Sequence, residues 1–334
     1  MPQEGPSVAS GTPGQQRGFE WIACEICGSS RHHLVAARTD LFLGGNTLFA
    51  MHECEECHVI YQFPRPTPEK MADYYPPYYQ QYTKGLVEEK WLTRLSRCYG
   101  LRKRAKIITK QVQTGTVLDV GCATGDFLSI MKTFPRWRVY GIEPTHTALT
   151  YARQRIGLSV VEGVLNVAPF AENSFDAITM WDVLEHVYDP LDVLKDVARL
   201  LKPGGVFVVN HPNIKSIDRK LFGNMWLGYE LPRHLYLFPS DLLRDLMAEL
   251  GLQEVERQCL YGSHAATFSS VMFLIENRFK DPKVQALARK LLFSVVARLL
   301  VLPYFKVIDY LKLGSNITAV FVKPPDTKSV QENS

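Results

Sequence analysis

Two clusters of residues in this 334-residue chain have the types and spacing to do chemistry. The first is Val117 to Phe127, VLDVGCATGDF: an apolar run carrying an acid, Asp119, then the turn Gly121-Cys122-Ala123-Thr124-Gly125 and a helix start near Asp126. A buried strand that passes through a glycine-bearing turn into a helix sets free N–H groups at the carboxyl edge of a sheet, where nucleotide cofactors bind. The glycines stand as G-x-x-x-G, without the third glycine that a dinucleotide fingerprint places against the helix. The second cluster is Cys24-x-x-Cys27 and Cys54-x-x-Cys57, four of the seven cysteines, with residues 28–53 between the pairs. In a reducing compartment, two such knuckles present four thiolates to one tetrahedral Zn2+, a structural site because protein fills every position. A redox pair and plain buried thiols are the alternatives. His32, His33, His52 and His58 lie nearby and read as surface or packing residues rather than ligands.

Patterning gives the elements that must hold these clusters. Between the knuckles, Leu41-Phe42-Leu43, then Gly44-Gly45-Asn46, then Thr47 to Met51 read as a hairpin. Phe63 to Pro68 reads as a stiff extended linker, followed by a tyrosine cluster (Tyr74, Tyr75, Tyr78, Tyr79, Tyr82) that either packs the module onto the next domain or lids an acceptor. Apolar residues recur at helical spacing from Glu88 to about Val112. Strands are expected at 117–120, 137–142, 158–162, 175–182, 206–210 and 254–260, with a last one at 316–322, and helices between most of them. Glu143 stands at the tip of the second strand, about 20 residues beyond the loop, where one carboxylate can accept hydrogen bonds from both ribose hydroxyls.

With those residues in view, the Asp119 loop resembles the first motif, [DE]-x-G-x-G-x-G, of the class I S-adenosylmethionine-dependent methyltransferases, with Ala123 in place of the middle glycine. Phe175 to Val187, FDAITMWDVLEHV, resembles the family's fourth motif, and LLKPGG before the fifth strand is a further signature. The resemblance implies an α/β, Rossmann-like, seven-stranded sheet with an antiparallel last strand. It implies S-adenosyl-L-methionine at Asp119, Gly121, Cys122, Gly125 and Glu143, with Asp182 beside it. Val164 and Leu165 fall at the adenine edge; Val164 stands where relatives often carry an acid, so adenine is expected to be held by backbone and apolar contacts. The cysteine pairs, Pro64-Arg65-Pro66-Thr67, the paired tyrosines and Pro232-Arg233-His234 resemble a bacterial subgroup with an N-terminal zinc-bearing module, which includes sugar C-methyltransferases. The catalytic candidates are His234, for which a structural histidine bonded to backbone is the alternative, His186, and Glu185, which the fourth-motif likeness places to meet the cofactor's cation or amino group or to support the acceptor; His211 is a further base candidate.

Composition narrows the partners. A net charge of +4 without any Lys/Arg block argues against nucleic acid and for a small molecule. Residues 1–18 read as a disordered tail and not a signal peptide, so a cytoplasmic home is expected. From Ala286 to Leu313, Arg298, Lys306 and Asp309 interrupt the apolar runs, so a transmembrane span is not expected. Amphipathic helices on the sheet or on a second subunit are expected there, with peripheral membrane contact toward a lipid-linked acceptor as the alternative. The expected division is a tail (1–18), a zinc-ribbon-like module (19–68), a linker and helical lid (69–113), the cofactor-binding domain (114–262), a helical insertion (263–313) and the last strand with its tail (314–334). The expected activity is in-line methyl transfer to O or C of a sugar or other cell-envelope or natural-product precursor, presented as a nucleotide sugar or lipid-linked sugar. A lipid- or quinone-type acceptor and a non-catalytic zinc-module scaffold are the alternatives. An NAD-dependent oxidoreductase is disfavoured by the absent third glycine.

Overall fold

The computed structural model describes residues 17–76, 85–260 and 263–325. Most of the expected tail, Tyr78, Tyr79, Tyr82 and the residues from 326 onward lie outside the described residues.

Seven strands form the central sheet: Gly115–Val120, Trp137–Glu143, Ser159–Glu162, Phe175–Trp181, Leu201–Pro212, Gln253–Gln258 and Asn316–Val322, here called first to seventh. Their spatial order is sixth, seventh, fifth, fourth, first, second, third. The seventh runs antiparallel to both of its neighbours, while the first to fifth are mutually parallel, as expected for the Rossmann-like sheet. The chain builds outward from the first strand to the third and then returns to place the fourth on the other side. This reversal opens a crevice at the carboxyl ends of the first and fourth strands.

The parallel strands are apolar on both faces because helices cover both. Val117, Ala177, Val206 and Val208 pack with Ile108 and Leu128 on one face, while Leu118, Ile178, Phe207 and Val209 pack with Leu194, Val197 and Leu243 on the other. The fifth strand begins earlier than its β-branched run, at Leu201; Lys202 to Gly205 form an irregularity inside it, with Gly204 at φ 78°.

The cysteine-bearing region departs from the expected hairpin. Its paired strands are His32–Arg38 and Phe49–Cys54, and Leu41 to Leu43 form a turn. The reason is Asp40, whose Oδ1 accepts the N–H groups of Phe42 (2.8 Å) and Leu43 (3.1 Å) and so outcompetes a ladder for those donors. Ile60–Gln62 adds a third strand, and Tyr236–Leu237, from far downstream, pairs with it as the fourth. The stretch expected to be an extended linker is instead partly a strand: Arg65–Pro66 pairs with Phe19–Glu20, and the buried Arg65 guanidinium donates to Glu20 (2.5 Å), Glu25 (2.9 Å) and the Tyr236 hydroxyl (2.7 Å).

Three helices, Ser263–Arg278, Pro282–Leu292 and Val295–Tyr310, separate the sixth and seventh strands. The first of them touches the segment after the fifth strand: the Leu227 N–H donates to Ser270 Oγ (2.9 Å).

A fully buried ion pair joins the cysteine-bearing sheet to that same segment. Arg233 donates through both terminal nitrogens to Asp40 (2.8 and 2.9 Å), with the side chains 0% and 1% exposed. Replacing Asp40 by Ala removes the two-oxygen partner of a fully buried guanidinium, and the expected cost is ~3–5 kcal/mol in urea unfolding. A loss below ~1 kcal/mol, the range of an exposed pair, is the contrary outcome.

Candidate functional site

At the carboxyl end of the first strand, the loop folds back over the second: Gly121 and Cys122 N–H both donate to the Ile142 carbonyl (2.9 and 3.1 Å). Gly121, Ala123 and Gly125 all adopt positive φ (66°, 46° and 82°). Ala123 thus keeps the left-handed conformation of the glycine that it replaces, at roughly 1–2 kcal/mol of backbone strain. At Gly121 a side chain fails on space as well, since a Cβ would meet Val183 Cγ2 at 2.7 Å. The Cys122 thiol is buried beneath the loop, and burial pushes its pKa well up.

Glu143 is clamped between the loop and the next helix. Its two oxygens accept N–H bonds from Ala123 and Thr145, each at 2.9 Å, and burial raises its pKa despite them. Asp119 accepts the Thr179 hydroxyl (2.6 Å) and is pushed up to about 7 by burial. Gly163 N–H donates to the Glu143 carbonyl (3.2 Å), which brings exposed Val164 and buried Leu165 to the same edge.

Asp182 follows the fourth strand at φ 59°, a conformation that Asp tolerates better than most residues. Its Oδ1 accepts the side-chain amides of Asn210 (2.5 Å) and Asn316 (2.9 Å), and Thr318 in turn donates to Asn210 (2.7 Å). Arg104, from the helix Trp91–Gln111, lies 3.8 Å from Asp182 Oδ2 and 4.7 Å above the Trp181 ring. Buried carboxyls held toward their neutral form lack what a cationic ligand with paired hydroxyls supplies. The donor set therefore fits S-adenosylmethionine, whose sulfonium, ammonium and ribose meet those needs.

A second cluster sits on the turn after the fourth strand. Glu185 is buried, its Oε2 has no hydrogen-bond partner among the described residues, and burial with Asp182 nearby raises it well above the usual carboxylate range. His186 Nδ1 lies 3.0 Å from the Arg233 carbonyl and 3.1 Å from the Tyr75 hydroxyl; His234 Nδ1 lies 2.8 Å from the Gly228 carbonyl. A carbonyl oxygen can only accept, so each ring donates through Nδ1–H and leaves a lone pair on Nε2. The rings meet edge to face at 4.7 Å, and burial holds both below the ordinary histidine pKa. Each of Glu185, His186 and His234 offers a ligating atom within 4.8 Å of the others. His211 stands on the fifth strand, where burial lowers it to about 4.

Cys24, Cys27, Cys54 and Cys57 also converge within 4.8 Å, with Cys24–Cys57 at 3.6 Å and Cys27–Cys54 at 3.5 Å between sulfurs. Four sulfurs at the usual 2.3 Å from one tetrahedral zinc stand about 3.8 Å apart, so the set fits that metal.

Sequence reasoning missed Thr179, Asn210, Asn316 and Arg104. For the first two a signal was present: each is a polar residue inside an otherwise apolar parallel strand, and a buried polar group needs a partner. Nothing local marked Arg104, one of many basic residues on its helix.

Comparison with known proteins agrees with the fold and loop. A family model described as a methyltransferase domain matches residues 89–257, half of the chain. A demethylmenaquinone methyltransferase of Staphylococcus aureus is 33% identical over 201 residues, covering 53% of this chain and 79% of that protein. One from Shouchella clausii is 29% identical over 172 residues, covering 43% and 73%. A crystal structure of a putative sarcosine dimethylglycine methyltransferase from Galdieria sulphuraria aligns at TM-score 0.47 and 18% identity, over 72% of this chain and 90% of that one. With a sheet of this order, a loop of this geometry and a family match across half its length, the chain belongs to the class I S-adenosylmethionine-dependent methyltransferases and is an enzyme of that family.

Proposed function

We propose that the chain methylates carbon or oxygen of a small-molecule acceptor that must lose a proton, with His234 or His186 as the base. The observation carrying this reading is the pair of neutral imidazoles beside buried Glu185, both with Nδ1 committed to backbone carbonyls and Nε2 left to accept a proton. S-adenosylmethionine supplies an electrophilic methyl group. The residues assigned to it are Glu143 at the ribose hydroxyls, Asp119 and Asp182 toward its positive charge, the Gly121–Gly125 backbone beneath it, and Val164 and Leu165 at the adenine. Displacement at a methyl group needs alignment and exclusion of water more than acid–base chemistry, so one base is enough. Glu185 orients the neighbouring groups, and Tyr75, bonded to His186, faces the acceptor.

The acceptor we favour is a sugar-type cell-envelope or natural-product precursor, carried on a nucleotide or a lipid. The density of buried polar side chains around His234 suits a hydroxyl-rich molecule. A quinol ring on a lipid tail is the second reading, favoured by the demethylmenaquinone methyltransferases among the relatives. The four cysteines hold one structural Zn2+, whose module supports His234 through the strand Tyr236–Leu237. Labelled methyl transfer from S-adenosylmethionine into panels of nucleotide sugars, lipid-linked sugars and quinols separates the two acceptor readings; transfer to none of them counts against both.

Because both histidines are held below the ordinary range, the base is unprotonated at neutral pH. With cofactor saturating, kcat is expected to stay level through neutral pH and to fall only as acidity reaches below about 6.5. His234→Asn is expected to lower kcat by about 10²–10⁴ while leaving cofactor affinity in place, and an unchanged kcat removes His234 from the role.

Asp119 at about 7 is half protonated in the free protein at neutral pH, and a nearby cation draws it into the ionised form. Cofactor binding is therefore expected to release protons, read by calorimetry at pH 7 in buffers of different ionisation enthalpy. Asp119→Asn lowers the release, leaving what the raised carboxyls of Glu143 and Glu185 contribute; a signal unaffected by that change assigns the protons elsewhere.

Elemental analysis is expected to find one zinc per chain, lost in Cys54→Ser. That variant retains cofactor binding and loses methyl transfer, since the module supports the base and not the cofactor loop. Full activity without metal contradicts the assignment.

A further inference from the structure

Val295–Tyr310 is apolar on almost every side, which in a water-exposed helix has no ordinary explanation. Its inner stripe, Phe305 and Ile308 with the partly buried Val301, packs on Phe268 of the helix Ser263–Arg278. That leaves its outer face bare: Leu299 is 62% exposed, Leu300 76% and Tyr310 85%. Pro282–Leu292 continues the surface with exposed Leu287 and Leu291. Between Val284 and Leu311, twelve large apolar residues are exposed, far more continuous than the scattered leucines of a monomer surface.

The charges around this face are one-sided. From Lys280 to Lys312 there are seven basic residues and two acidic ones, and one of the acids, Asp309, is occupied in accepting the Ser263 hydroxyl (2.5 Å). Lys283, Lys290, Arg298 and Lys306 are exposed among the apolar residues, and Arg289, also exposed, pairs with Glu276 (2.5 Å). A protein partner is met by no such rule, but a bilayer with anionic headgroups asks for this combination of apolar surface and fringing cations.

Crossing is a different matter from docking. Among the described residues no single helix is long and apolar enough to cross a membrane; the two helices pass on composition only together, and they bend by 60° at the break. Their 11 and 16 residues amount to about 16 and 24 Å, each short of a hydrocarbon core of about 30 Å.

We propose that Pro282–Leu292 and Val295–Tyr310 form a docking surface for a lipid bilayer bearing anionic headgroups, lying in its interface plane. The face is continuous with the site through Ser263–Arg278, whose Ser270 and Phe273 contact Leu227 and Phe42, next to the segment that carries His234. Docking thus sets the acceptor side of the enzyme against the membrane, whichever acceptor class it takes.

The test is flotation of the full-length protein with vesicles of phosphatidylcholine alone and of phosphatidylcholine with phosphatidylglycerol. The protein is expected to float with the anionic vesicles, less with neutral ones, and less again at high salt. A variant carrying Leu299→Asp and Leu300→Asp is expected to lose at least about tenfold in partitioning, while S-adenosylmethionine binding, read separately, reports that it is folded. Absence of flotation with either vesicle overturns the proposal. So does flotation undiminished in the variant, or light scattering that finds a dimer which the same two substitutions break, since the face is then a contact between copies. Each of these readouts stands apart from methyl transfer, so failure of the acceptor assignment leaves the docking result interpretable.

Discussion

A buried guanidinium must find its counter-charge, and in this protein that requirement ties together segments almost two hundred residues apart in sequence. Arg233 is wholly enclosed, and Asp40 meets it with both oxygens while Glu230 stands 3.2 Å from its Nε. Such a pair gains little over well-packed apolar residues, because desolvating both charges costs about what their attraction returns. Its effect is on specificity: only one docking of the cysteine-bearing sheet against the loop after the fifth strand satisfies both charges. Arg65 repeats the device on the other side of the strand Tyr236–Leu237, reaching Glu20, Glu25 and Tyr236 together. His234 lies between these two fixed points, and its ring is set by structure remote from the cofactor loop.

The catalytic edge of the sheet obeys a related rule, with hydrogen bonds in place of ion pairs. Thr318, Asn210, Asp182 and Asn316 form one connected set spanning the seventh, fifth and fourth strands. Asp182 can hold a left-handed backbone because two amides fix its side chain. The antiparallel seventh strand is therefore more than a cover for the sheet: it delivers Asn316 and Thr318 to a carboxylate at the mouth of the site.

Much of this was legible in the sequence because local chemistry and global fold agree at those points. Asp119, Gly121, Gly125 and Glu143 fall where their motif places them, since the strand, the turn and the acid each have one geometry that serves them. The last strand was readable to the residue, because Asn316 to Val322 is a β-branched and aromatic run bounded by Gly314 and Pro324. What failed depended on distant partners. Leu41 to Leu43 has strand composition, but one side-chain oxygen of Asp40 redirected its backbone. Pro64 to Pro68 has linker composition, but Arg65 found three buried partners far along the chain. No window of sequence contains Glu20, Arg65 and Tyr236 at once. The pairing of Tyr236 with Tyr61 is likewise invisible to any local pattern.

The electrostatics of the site have a directional consequence. Asp119, Glu143 and Glu185 are all buried and all shifted toward their neutral forms, so by themselves they carry less negative charge than their number suggests. A ligand with positive charge reverses part of that shift and is bound more tightly for doing so. Methyl donation converts a sulfonium into a neutral thioether, so the part of that attraction owed to the sulfonium is lost while the ammonium and ribose remain to be met. Burial of these acids, which costs the fold stability, thereby works in favour of a ligand that carries positive charge.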